Sequence, residues 1–146
     1  CSMNEAKALL DQFHASCPQL RLWHREIEKE LYRTRTLTNL LGRKHRFLER
    51  WGDDLFRSAY SYIPQSTVGD LLNLAIVRFY NKYGSEIDVV LQLHDAMYVL
   101  SKEDEIEHNM ALMREAMMIP LKVNEEEFMI DVDFSYGKTW GEMTDI

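Results

Sequence analysis

Cysteine, proline and glycine are all scarce in this chain: two, three and six residues among 146. The two cysteines, Cys1 and Cys17, do not make a disulfide framework. They point to a reduced, cytoplasmic setting, which is the host cytoplasm if the source is viral. So few prolines and glycines exclude a collagen-like or low-complexity chain. No apolar run approaches the length of a membrane span and nothing reads as a signal peptide, so no membrane partner is expected. No internal repeat is present. At 17.3 kDa the chain is long enough to close a real core.

An excess of positive charge is also missing, since the formal net charge is −7. Taken alone, that balance argues against nucleic-acid binding. Its distribution reverses the argument. Arg21, Arg25, Lys29, Arg33, Arg35, Arg43, Lys44, Arg46 and Arg50 stand against Glu26, Glu28, Glu30 and Glu49 between positions 21 and 50. Half of the acids fall after position 100, among them Glu103, Asp104, Glu105, Glu107 and Glu125 to Glu127. One basic portion and one acidic portion allow a phosphate-facing surface and a solvated back, although runs of charge also make ordinary solvated faces.

Hydrophobic spacing and cap residues predict the elements. Ser2 and Glu5 form a capping-box pattern for a helix from about Met3 to Ala15, with Ala6, Leu9, Leu10 and Phe13 inward. Pro18 opens a second helix carrying Leu20, Trp23, Ile27 and Leu31 on one stripe. The 33–45 stretch, with β-branched threonines and Gly42, reads as a short hairpin. Asp53 or Asp54 caps a helix to about Tyr60, and Pro64 breaks the chain. Ser66 or Thr67 then caps a long helix to about Tyr83. A central hairpin turns at His94-Asp95 and ends near Leu100. Glu103 to Met117 is an amphipathic helix whose Ile106, Met110, Met113 and Met117 face the core. Ile119 to Leu121 enters an exposed strand, and Phe128 to Phe134 alternates as a strand with one buried face. Helices come first and mix with strands later without a βαβ repeat, so the fold class is α+β.

The richest stretch is IDVVLQLHDAMYV, from Ile87 to Val99. It reads as a buried strand that delivers His94-Asp95 and a second strand that leaves. An aspartate at a buried strand end needs a metal ion, an arginine or a helix N-terminus beside it. The bland alternative is a hydrogen-bonded turn. Three further segments set the context: TLTNLLGRKHRF from 36, RSAYSYIPQSTVGD from 57 and YGKTW from 136. Together with LQLHDAMYV they resemble the C-terminal part of family A (DNA polymerase I-type) polymerases, especially phage-type members. The family shows T-x-x-GR-[RK], then R-x-A-x-N-x-x-x-Q-x-T-x-x-D, then VHDE, then G-x-[NT]-W, in that order. The opening SMNEAKALLDQFHASCPQLRLWHREIEKEL also resembles the family's S-x-x-EA…P…W helical stretch.

The resemblance implies the C-terminal half of a polymerase palm, an antiparallel hairpin and strands packed with helices. Residues 1–35 would be the end of the fingers and 36–146 the palm. Asp95 would be the motif C aspartate, a catalytic residue and ligand of Mg²⁺, which takes hard oxygen donors. Two metals about 4 Å apart serve such transfers. Arg57, Ser61, Gln65 and His94 would contact primer-template DNA near the terminal pair. Gly42, Arg43 and Lys44 would form a tight basic turn meeting phosphates. Thr67 and Asp70 match the pattern, with helix capping as their alternative, and Trp140 would pack the terminal segment without a catalytic role. Three departures stand out: Ala96 replaces the usual Glu, Ser61 replaces Asn, and Pro64 is shifted by one position.

The family's upstream aspartate segment and its RxxxKxxxYG helix, which grips deoxynucleoside triphosphates, have no counterpart in these residues. The implied function is therefore the C-terminal portion of a DNA-directed DNA polymerase, holding part of the catalytic apparatus and completed by an N-terminal polymerase fragment or subunit. Two alternatives stay open: a non-catalytic DNA-binding or scaffold module derived from the palm, and an unrelated His-Asp phosphohydrolase. The second lacks support, because His14, His24, His45 and His108 show no ligand spacing. Cys1-Ser2 suggests a protein-splicing junction, with a cloning remnant before Met3 as the alternative.

Overall fold

The computed structural model describes residues 2–146, so the splice-junction expectation for Cys1 lies outside the described residues. It divides into two compact units, Cys1–Pro64 and Gln65–Ile146. Among the described residues no helix is long and apolar enough to cross a membrane.

The first unit opens with α1 (Met3–Ser16), capped as its sequence predicts: Glu5 N–H donates to Ser2 Oγ, and Ser2 N–H donates to the Glu5 carboxylate at 2.7 Å. That contact holds the Glu5 carboxyl below its usual range, since the charged form accepts the bonds. The expected inward face is not realised. Leu9, Leu10 and Phe13 are exposed and α1 buries no residue. Periodicity shows that a helix has an apolar face, not that a partner covers it. α2 (Pro18–Thr34) starts on its proline, and Ile27 and Leu31 are buried, as the stripe predicts. They pack with Leu37, Phe47, Leu55 and Ala59 in one core.

Arg35 ends α2 in the left-handed region (φ 56) and leads into the antiparallel pair β1 (Thr36–Thr38) and β2 (Lys44–Arg46). The connecting turn is organised by Asn39, a buried residue. Its side-chain oxygen accepts from Leu41 N–H at 3.0 Å and Arg43 N–H at 2.9 Å. Gly42 sits at φ +90, where a side chain would be strained. The Tyr62 hydroxyl donates to Arg43 O at 2.9 Å and buttresses the turn.

Helix α3 (Asp53–Tyr83) corrects one expectation: it continues through Pro64 as a single helix of 31 residues instead of breaking there. A proline removes one hydrogen bond and crowds the carbonyl four residues back, a cost of about 3 kcal/mol. Buried side chains on both sides, Leu55 and Ala59 before it, Leu71, Leu72, Ala75 and Phe79 after it, outweigh that cost. Thr67 is consequently buried in mid-helix rather than standing at a cap.

In the second unit β3 (Val89–Leu93) pairs antiparallel with β4 (Ala96–Val99). A 3₁₀ turn (Glu103–Glu105) leads into α4 (Ile106–Met117), which buries Met113 and Ala116. β5 (Leu121–Val123) pairs with β6 (Glu126–Phe128), and β7 (Ser135–Tyr136) pairs with β8 (Thr144–Asp145). The expected strand from Phe128 to Phe134 ends at Phe128, because residues 129–134 have no ladder partner. Part of the alternation survives as packing: Phe134 is buried and Val132 half-buried, while Asp131 and Asp133 face out. The core joins Leu72, Phe79, Ile87, Met97, Met113, Ala116 and Phe134. Small antiparallel pairs mixed with helices make the fold α+β, as expected from the order of elements.

Phe79 is fully buried, so Phe79→Ala should lower the unfolding free energy by about 3–5 kcal/mol through lost burial and the cavity left behind. Asn39→Ala leaves two turn N–H groups without their acceptor and should cost about 1–3 kcal/mol. Denaturant titrations of both variants measure these losses directly.

Candidate functional site

His94 and Asp95 form a two-residue connection between strands in register Leu93↔Ala96 and Gln92↔Met97. So tight a reversal needs positive φ in the turn, and His94 supplies it at φ 53. Asp95 follows at the tip. Both side chains are exposed, and among the described residues Asp95 makes no ion pair. This corrects the reading of a buried strand end: Val90, Leu91 and Leu93 are 40 to 51% exposed. A hairpin with one strand on either side of its turn covers little of its own surface. Burial therefore imposes no charge-neutralising partner on Asp95.

Asp95 also lines a concavity of about 1090 Å³ in the second unit. Its walls include Met97, Met113, Asp131, Asp133 and Tyr136. Asp131 is engaged elsewhere, accepting from Arg114 Nη1 and from Val132 N–H, each at 2.8 Å, which holds its carboxyl below the usual range. An exposed carboxylate suits a hard divalent cation as one ligand. Ala96 beside it offers only a methyl group. Among the described residues no group of three or more His, Cys, Asp or Glu side chains could hold a metal ion. The donor set fits one ligand of a shared site, not a complete cage.

In the first unit Gly42, Arg43 and Lys44 stand exposed on the Asn39-organised turn. The family resemblance singled out the glycine and the basic pair but missed Asn39, whose signal was an Asx residue whose side chain can bond backbone N–H groups just ahead. Arg57 is exposed on α3, 3.7 Å from exposed Asp54, a pairing worth little in water. Ser61 is half-buried, and its hydroxyl donates to Ser58 O at 3.1 Å. Gln65, the first residue of the second unit, is exposed. Trp140 stacks on Tyr98 at 4.6 Å and ties the terminal segment to β4. Gly137 of the same motif permits close approach, since a Cβ there would lie 2.3 Å from Glu142 O.

The basic stretch is partly consumed by the fold. Lys29 pairs with Glu26 at 2.6 Å and Arg33 with Glu30 at 2.8 Å. Among the described residues Arg25, Lys44, Arg46 and Arg50 make no ion pair.

The chain is similar to the thermostable DNA polymerase I of Thermus filiformis, at 29% identity across 93% of this chain and 17% of that protein. It is also similar to DNA polymerase I of Borreliella burgdorferi, at 29% identity across 66% of this chain and 10% of that protein. It spans under a fifth of the length of either. Among solved structures, the POL domain of Pol1 from M. smegmatis, in complex with DNA primer-template and dNTP, shares the fold. The TM-score is 0.72 at 22% identity, covering 88% of this chain and 24% of that one. The family model of DNA polymerase family A matches residues 1–142, and with nearly its whole length inside that match the chain belongs to DNA polymerase family A.

Proposed function

We propose that this chain is the C-terminal portion of a DNA-directed DNA polymerase, and that Asp95 is its catalytic metal ligand. The observation that carries the reading is Asp95 itself: an exposed carboxylate, without an ion pair among the described residues, at the tip of a two-residue turn. Rigid strand ends place a carboxylate within the narrow tolerance that a metal-assisted displacement demands. Bound Mg²⁺ would lower the pKa of the primer 3′-hydroxyl and neutralise charge on the triphosphate of a deoxynucleoside triphosphate. Asp95 supplies one anchoring oxygen for it. The remaining ligands belong to an N-terminal polymerase fragment or subunit, since residues 1–146 contain neither the upstream aspartate segment nor the triphosphate-gripping helix.

In the same reading residues 1–35 end the fingers and 36–146 form the palm. Arg57, Ser61 and Gln65, four residues apart within one helical run, meet the primer-template minor groove. Donors there address acceptors common to all base pairs and test shape rather than sequence. His94 stands beside the primer terminus. Gly42, Arg43 and Lys44 meet backbone phosphates. A second reading, a non-catalytic DNA-binding or scaffold module, draws on Ala96, which removes the second carboxylate from the turn.

Primer extension separates the two readings. The purified chain alone should incorporate no nucleotide, and extension should appear when an N-terminal family A fragment completes it. In that reconstituted enzyme Asp95→Asn should lower extension roughly 10²- to 10³-fold, the loss of several kcal/mol of charge stabilisation, with an unchanged melting temperature. Near-normal turnover would make Asp95 a plain turn residue. Arg57→Ala and Gln65→Ala should weaken primer-template affinity while leaving the melting transition in place, because both side chains are exposed.

A further inference from the structure

In the first unit an aromatic stack stands apart from every role above. Tyr32, in the last turns of α2, and Trp51, just before α3, stack with ring centroids 4.6 Å apart and planes 18° apart. Phe56 flanks them at 6.2 and 6.1 Å. The Arg35 guanidinium lies 3.8 Å from the Trp51 ring centroid, and its Nη1 donates to Glu49 O at 2.6 Å.

Core packing does not account for this pair. Tyr32 is 66% exposed and Trp51 45%, whereas neighbouring Leu31 and Leu55 are sealed. An exposed pair of large rings, held parallel and backed by a fixed cation, is a preformed stacking surface. Its electrostatic setting narrows the occupant. Residues 31–50 carry Arg33, Arg35, Arg43, Lys44, Arg46 and Arg50 against Glu49 alone. Arg50 directly precedes Trp51, and Arg46 pairs across the hairpin with Thr36, next to Arg35. Among the nearest acids, Glu30 is held by Arg33 Nε and Nη2, at 3.0 and 2.8 Å, and Asp54 lies beside Arg57. Asp53 and Glu49 are the remaining ones. A polyanion with flat apolar rings fits this surface, and an acidic or neutral protein face lacks the rings at regular spacing.

We propose that the Tyr32–Trp51 stack, backed by Arg35, is a platform for an unpaired base of single-stranded nucleic acid, with Arg46 and Arg50 serving its phosphates. Every base offers a π face, so the platform tolerates any sequence, and the arginines add a salt-sensitive contribution. The choice of nucleic acid as occupant rests on the polymerase reading above; the platform itself is independent of Asp95 and of the hairpin.

The test uses the 146-residue chain with fluorescein-labelled oligothymidylate and an abasic strand of equal length and charge, followed by anisotropy at low salt. Tyr32→Ala should weaken oligothymidylate binding roughly tenfold and leave abasic-strand binding unchanged. Tyr32→Phe should keep wild-type affinity. Tyr32→Leu, which retains apolar bulk without a π face, should bind as weakly as the alanine variant with a wild-type melting temperature, and so guards against a folding artefact. Equal losses on both strands, no loss in Tyr32→Ala, or no binding of oligothymidylate by the wild-type chain would each overturn the platform. Asp95→Asn should leave this binding intact. Loss of the platform alongside Asp95-dependent extension refutes the platform alone, and Tyr32-dependent binding without Asp95-dependent extension refutes the catalytic reading alone.

Discussion

The packing of Ile87 and Met97 against Phe79 is the contact on which the geometry of the second unit depends. β3 and β4 form a two-stranded hairpin, and an isolated hairpin is marginal in water. Burial of one residue leading into it and one on its return strand, in the core that also holds Met113 and Phe134, gives it an orientation. In the turn His94 takes the left-handed conformation and Asp95 is carried to the tip. A carboxylate exposed on a backbone fixed from below can be rigid and hydrated together, which is what a ligand to a strongly hydrated cation requires.

Helix α3 shows how tertiary packing overrides a local signal. Its sequence has a proline at the centre and capping residues just beyond, which together read as a stop and a restart. The helix continues because Leu55 and Ala59 are buried on one side of Pro64, and Leu71, Leu72 and Phe79 on the other. One lost hydrogen bond is small against several sealed apolar side chains. Pro64 also falls where the chain divides into its two compact units. What the sequence reads as a stop coincides with the division between the two units, not with the end of a helix.

What could be read from the residues divides along a physical line. Features fixed within a few residues were legible: the Ser2–Glu5 box, the proline start of α2, the Gly42 turn, the methionine stripe of α4 and the reversal at His94-Asp95. Features that depend on what covers a surface were not. The faces of α1 and β3 carry the right apolar periodicity, yet Leu9, Phe13, Leu91 and Leu93 remain in water. Phe128 to Phe134 alternates like a strand and stops being one where its ladder partner ends. The order of motifs carried the family, because four signals in sequence constrain a chain more than any single one. Asn39 escaped notice for the opposite reason: its work is done by one side chain on local backbone, and nothing in its spacing distinguishes it from a loop asparagine.

The charge distribution connects these points. A net-negative chain is repelled by a polyanion at long range, so any contact with phosphate would have to be local and oriented. In the first unit the fold neutralises part of its basic stretch internally, through Lys29–Glu26 and Arg33–Glu30, and among the described residues leaves Lys44, Arg46 and Arg50 without ion pairs on or beside the β1–β2 hairpin. The acids of the second unit are spent differently. Glu115 is bound by Lys82 and by the Tyr83 hydroxyl, and Asp131 by Arg114, each contact holding its carboxyl below the usual range. Asp95 is left out of these pairings. A carboxylate already satisfied by an arginine would have to break that bond before it could take up a cation; among the described residues Asp95 has no such bond to break.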